Sequence, residues 1–143
     1  MLKRLFIFLF FAAFLPNLLL AKGNNAKKLP TMPVFLTVKK IWIEGKAGNL
    51  QPLLSHKVSL NLGKQKGRFS KGQATAILKT YFRKMQVTEF KYYQKKMQLA
   101  KASALCCYKL KRSGKKRQKI IYIYLVLDTK NRKWLISGIS IIG

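Results

Sequence analysis

Three carboxylates and one imidazole are the whole stock of acid–base side chains in this sequence. Glu44, Glu89 and Asp128 stand far apart, and His56 has no carboxylate close in sequence to orient it. General acid–base catalysis needs paired titratable groups, and most metal sites need a cluster of ligands, so both chemistries lack raw material. The sequence also holds no GxSxG, no HExxH, no phosphate-binding glycine loop and no zinc-like Cys-His spacing. His56 is expected at the surface or as a cap. Glu44, Glu89 and Asp128 are expected to pair with neighbouring lysines. Cys106 and Cys107 are adjacent, and neighbours on a strand point to opposite faces, so a bridge between them would be strained. They read as small apolar residues on the two sides of a buried strand. The expectation is a non-enzymatic protein with no catalytic residue, no metal and no cofactor.

Charge is the chemistry this chain has in excess. Thirty Lys+Arg face 3 Asp+Glu over 143 residues, a formal net charge of +27. Hydrophobic residues at 49% and aromatics at 12% exclude a disordered basic tail, which could not bury a core. Eleven cations fall between Lys91 and Lys119, and seven of them lie in KLKRSGKKRQK: Lys109, Lys111, Arg112, Lys115, Lys116, Arg117 and Lys119. Clustered like charge opposes compaction, so a counter-anion is expected there. The rival reading is that exposed lysine merely keeps the protein soluble. A second class of function rests on aromatics. Trp42, Tyr81, Tyr92, Tyr108, Tyr122 and Tyr124 are candidates to line a pocket for a small apolar or aromatic ligand, although aromatics at strand spacing also serve as plain core.

Residues 1–21 read as a secretory signal. Lys3 and Arg4 precede the apolar run Leu5–Leu15, Pro16 breaks it, and Ala21 supplies a small residue at the cleavage point. The run is short of the roughly 20 residues that span a bilayer, so no transmembrane domain is expected after cleavage. Residues 22–143 would keep 28 basic side chains against 3 acids, +25. An exported protein of this charge meets envelope polyanions: lipopolysaccharide, acidic glycans and anionic lipid surfaces, in the periplasm or outside the cell. Nucleic acid is the competing polyanion, since Tyr92-Tyr93 among Lys91, Lys95 and Lys96 could stack and clamp a single strand. Against it stand the export signal and the absence of a groove-reading motif.

The elements that must position these groups follow from periodicity. Residues 22–30 read as a solvated leader, and 31–143 as a single domain. Pro33 suits a helix start. Val34, Phe35, Val38, Ile41 and Trp42 then recur at helical spacing until Gly45. Asn49 can cap a short second helix carrying Leu50, Leu53 and Leu54. Val58, Leu60 and Leu62 alternate with polar residues as a half-buried strand does, and Gly63–Arg68 reads as a basic turn. Ser70 and Gln73 form a capping box for a helix over 70–85. Strands are expected over Phe90–Met97, Ala102–Leu110, Lys119–Leu127 and Trp134–Ile142. The third of these is apolar on both faces, as a strand covered on both sides would be. Arg112–Lys115 reads as a hairpin turn, and Asn131 suits a left-handed residue in the last turn.

Helices first and antiparallel strands after is an α+β order, in which a curved sheet wraps a helix. This order resembles the nuclear transport factor 2-like, or cystatin-like, cone: N-terminal helices packed on a curved antiparallel sheet of four to five strands. Gly48–Leu62, Gly67–Phe82 and Ile120–Ile142 resemble an exported bacterial branch of that superfamily, domain-of-unknown-function family 4783. The most specific piece is Phe69-Ser70-Lys71-x-Gln73-Ala74 followed by Leu78 and Phe82, a packing and capping signature. The resemblance implies a small exported domain and supplies no catalytic residue. The lysine-loaded strands and Cys106-Cys107 depart from the family pattern.

Overall fold

The computed structural model describes residues 32–143. Residues 1–21, read as a secretory signal, and 22–30, read as a leader, lie outside the described residues.

Helix α1 (Pro33–Glu44) begins at a proline whose missing N–H falls among the first-turn amides that have no intrahelical partner. It ends at Gly45, left-handed at φ 67°, and the Lys46 N–H reaches back to the Ile41 carbonyl at 3.3 Å. Its buried stripe is Phe35, Val38, Ile41 and Trp42. The expected second helix is a 3₁₀ turn, Ala47–Leu53, with Pro52 inside it. Leu54 belongs instead to strand β1 (Leu54–Asn61), which places His56 within the strand, exposed.

The stretch read as a basic turn holds a further strand, β2 (Lys66–Ser70), antiparallel to β1. The turn proper is closed by the Leu62 N–H on the Gln65 carbonyl at 2.8 Å. An outer-edge strand that is largely exposed has no apolar alternation to betray it. The Phe69 ring folds over Gly67, where an added Cβ would come within 3.1 Å of it.

Helix α2 (Lys71–Phe82) starts on the expected capping box. Gln73 N–H donates to Ser70 Oγ at 3.3 Å, and Ser70 N–H donates to Gln73 Oε1 at 3.0 Å. The helix ends at Phe82, short of the expected 85. Ala74, Leu78 and Phe82 are buried, while Ile77 and Tyr81 are only half-buried.

Strands β3 (Gln86–Met97), β4 (Lys101–Arg112), β5 (Lys115–Asp128) and β6 (Lys133–Ile142) form an antiparallel meander. The sheet order is β2-β1-β6-β5-β4-β3, and β6 lies parallel to β1. The sheet therefore has six strands and one parallel pairing, where four to five antiparallel strands were expected. Ser113 (φ 51°) and Gly114 (φ 75°) give the β4–β5 turn the two left-handed residues that a tight hairpin needs. In the β5–β6 turn the left-handed residue is Arg132 (φ 52°), not Asn131. Asn131 instead donates its amide to Asp128 Oδ2 at 2.7 Å.

Strand β5 lies inside the sheet, yet its two faces differ. Ile121, Ile123 and Leu125 are buried, whereas Ile120 and Tyr124 are 43% and 46% exposed. The helices cover the concave face alone, so the expectation of cover on both sides does not hold. Trp42 is central to the core, its ring 4.6 Å from Phe82, 5.8 Å from Tyr108 and 6.1 Å from Phe90.

Candidate anion-binding surface and cleft

The basic β4–β5 hairpin is divided by strand alternation. Leu110 and Tyr108 are buried on the concave side, so residues that share their parity and register share their face. Arg112 opposes Lys115, Arg117 opposes Leu110, and Lys119 opposes Tyr108, all on the concave side. Lys109 opposes Gln118 and Lys111 opposes Lys116 on the outer side. Like charges directly opposite each other oppose pairing. The seven cations expected to act together thus form two groups, each exposed to a different side of the hairpin.

Glu89 of β3 is the carboxylate that meets this region. Lys91 and Lys109 donate to it, each at 2.7 Å. The Lys109 and then the Lys91 ammonium hold its carboxyl down to about 2, below the usual carboxylate range. Glu44 meets Lys46 at 3.6 Å. Among the described residues Asp128 pairs with no lysine side chain. Its carboxylate accepts from the Asn131 amide and from the backbone N–H groups of Lys130 and Asn131. The Asn131 amide is the main cause of its lowered pKa. Among the described residues no group of three His, Cys, Asp or Glu is placed to hold a metal. Cys106 and Cys107 are free and buried on opposite sides of β4, and burial pushes the Cys106 thiol up to about 12.

The six aromatic pocket candidates do not converge. Trp42 and Tyr108 are fully buried in the core. Tyr92 is half-buried, donates its hydroxyl to the Phe35 carbonyl at 2.7 Å, and carries the Lys95 ammonium 4.6 Å from its ring centre. Tyr122 and Tyr124 occupy the outer face of β5, where the Tyr124 ring lies against Gly138, 3.2 Å from where a Cβ would stand. Tyr124 borders a cavity of about 300 Å³ with Gly67 and Gly138, and Tyr81 lines a larger one.

That cavity is a cleft of about 720 Å³. One wall is the half-buried flank of α2, with Ile77 and Tyr81, continued by Met85 in the turn that follows the helix. The facing walls are the β1–β2 loop from Leu62 to Gln65 and the concave ends of β4 and β5, with Leu110, Arg112, Arg117 and Lys119. Lys64 and Lys84 complete a lining of five cations and no carboxylate. The Tyr81 hydroxyl meets the Tyr108 hydroxyl at 2.7 Å. Burial raises the Tyr81 pKa, against the opposing pull of the Tyr108 hydrogen bond and of Arg112, so the group stays a neutral hydroxyl. Lys119 donates to the Gly143 carbonyl. Lys64, Lys84, Ile77 and Met85 were not among the expected site residues. Only the β1–β2 pairing brings the 62–65 loop beside α2, and periodicity carries no sign of it.

Residues 35–141 match the family described as Domain of unknown function (DUF4783). No curated protein matches the chain. A DUF4783 family protein from Bacteroides uniformis ATCC 8492 is similar with a TM-score of 0.64 at 17% identity, over 78% of this chain and 95% of that one. A domain of unknown function with a cystatin-like fold from Nostoc punctiforme gives 0.60 at 11% identity, covering 78% of each chain. The fold is also shared by an enzyme, an LEH-like epoxide hydrolase from M. tuberculosis, at 0.56 and 11% identity over 75% of this chain and 77% of that one. With the family match spanning nearly all of the described residues, the chain belongs to the DUF4783 family and has the nuclear transport factor 2-like, cystatin-like α+β fold.

Proposed function

We propose that this protein is an exported, non-enzymatic binding domain that engages polyanions through the β4–β5 hairpin. The observation that carries this reading is the hairpin itself: seven cations within eleven residues, with Lys111 opposite Lys116 and Arg112 opposite Lys115. Holding like charges in register works against pairing unless an anion compensates. The one carboxylate bonded there among the described residues, Glu89, reaches Lys109 and Lys91 only. The polymer is an envelope polyanion: lipopolysaccharide, an acidic glycan or an anionic lipid surface. Support for a non-catalytic role comes from the acids, each already engaged by a lysine or by Asn131, and from the exposed, isolated His56.

The test is binding of the purified protein to these polymers and to single- and double-stranded DNA as salt is raised. Replacing Lys109, Lys111, Lys115 and Lys116 by Gln leaves the cleft lining untouched. The logarithm of affinity should then fall less steeply with the logarithm of salt, by roughly one unit for each contact removed. An unchanged slope, or a preference for DNA over every envelope polymer, would contradict the reading.

A further inference from the structure

The geometry points to a second ligand for the cleft between α2 and the hairpin: a single-chain amphipathic anion, one acyl or alkyl chain ending in a carboxylate or phosphate. Its volume of about 720 Å³ falls within the roughly 300–1,000 Å³ typical of small-molecule sites. Two chemistries are separated inside it. The apolar part is Leu62, Ile77, Met85 and Leu110, contributed by the β1–β2 loop, α2, the turn after it and β4. Ile77 and Met85 are only half-buried although they lie on the core-facing side of their segment. They leave apolar surface that a chain would cover, and a methionine adapts readily to the shape of a flexible one.

The charged part of the lining is cationic without exception. Lys64 comes from the loop, Lys84 from the turn after α2, and Arg112, Arg117 and Lys119 from the hairpin. Five cationic side chains from three separate places line one cleft, with no carboxylate in the lining. A single anionic head relieves that repulsion, and guanidinium forks suit either oxyanion. Tyr81 adds a neutral hydroxyl at the wall. Where Tyr108 is the donor of their shared hydrogen bond, the Tyr81 proton faces the head group. A polymer has no use for the apolar floor, and a neutral ligand has no use for five cations.

This site shares Arg112, Arg117 and Lys119 with the hairpin surface but does not depend on polymer binding there. Calorimetric titration with dodecanoate and with monododecyl phosphate, both below their micellar concentrations, tests it. Dodecanol and inorganic phosphate are the arms lacking the head group and the chain. Either amphiphile should bind one to one, at least tenfold tighter than dodecanol and than phosphate, and the preferred one identifies the head group. Ile77→Glu, which places a carboxylate in the apolar part, should weaken binding at least tenfold. The Lys109, Lys111, Lys115 and Lys116→Gln variant should leave it unchanged. If Ile77→Glu fails to fold by circular dichroism, the exposed-site double variant Lys84→Glu, Arg117→Glu serves instead, with the same expected loss. The proposal is overturned if neither amphiphile binds below its micellar concentration, if dodecanol matches them, or if the folded cleft variant binds as the wild type does. Loss of polymer binding in the four-lysine variant with amphiphile binding intact would separate the two sites.

Discussion

Trp42 has aromatic neighbours on three sides, Phe82, Phe90 and Tyr108, and no exposed surface. Its indole N–H is the one buried side-chain nitrogen or oxygen without a hydrogen-bond partner among the described residues. Truncation to alanine should cost about 3–5 kcal/mol, the range for removing a large core aromatic. Trp42→Phe should cost less, because it removes the unpaired donor along with part of the ring volume. Urea denaturation of both variants checks the order. Tyr108 has its hydroxyl buried against Tyr81, so Tyr81→Phe should destabilise by about 1–3 kcal/mol through the polar group left unpaired. Glu89 makes a pH prediction at the same scale. Its folded carboxyl is held down to about 2 by Lys109 and Lys91, below its usual 4.5. The contribution is therefore full above the unfolded carboxylate range and is lost as pH falls through that window toward about 2. Carboxyl chemical shifts followed by NMR should place its midpoint well below the usual carboxylate range, and added salt should raise it, since both lysines are exposed to solvent.

Helix α2 and the β4–β5 turn are governed by local chemistry, and their stabilities should respond to single changes. Ser70→Ala removes one half of the capping box and should cost about 1 kcal/mol. Gly114→Ala puts a side chain on a left-handed residue and should also cost about 1 kcal/mol. Thermal unfolding measures both. These same two elements were legible in the amino-acid sequence, because Ser70-x-x-Gln73 and Ser113-Gly114 carry their geometry within four residues. Strand β2 was not legible, since an exposed edge needs no apolar period. The parallel β1–β6 pair was hidden for another reason: its partners Leu60 and Ile139 are separated in sequence by β2, α2 and three strands of the meander. The hairpin cations were legible as residues, and counting by twos from buried Leu110 divides them between faces. The cleft was not, because Lys64 and Lys84 enter it from separate elements. The aromatic candidates failed to converge for the ordinary reason that alternation sends Tyr122 and Tyr124 to the face opposite Tyr108.

At the scale of the molecule, an α+β cone with 30 cations and 3 acids must fold against its own field. Screening should therefore stabilise it: the midpoint of thermal unfolding should rise with salt over the range where the same salt weakens polyanion binding. Charge placed only for solubility would bind every polyanion alike and release all of them by about 0.15 M salt, where the screening length is about 8 Å. A built surface would discriminate. The most direct measurement is the salt dependence of affinity for lipopolysaccharide, an acidic glycan, anionic vesicles and DNA, in the wild type and in the Lys109, Lys111, Lys115 and Lys116→Gln variant. The account predicts that one envelope polymer is held selectively at physiological salt and that the variant loses both that preference and about four units of slope. Equal, salt-labile binding to all four partners, unchanged in the variant, would contradict it.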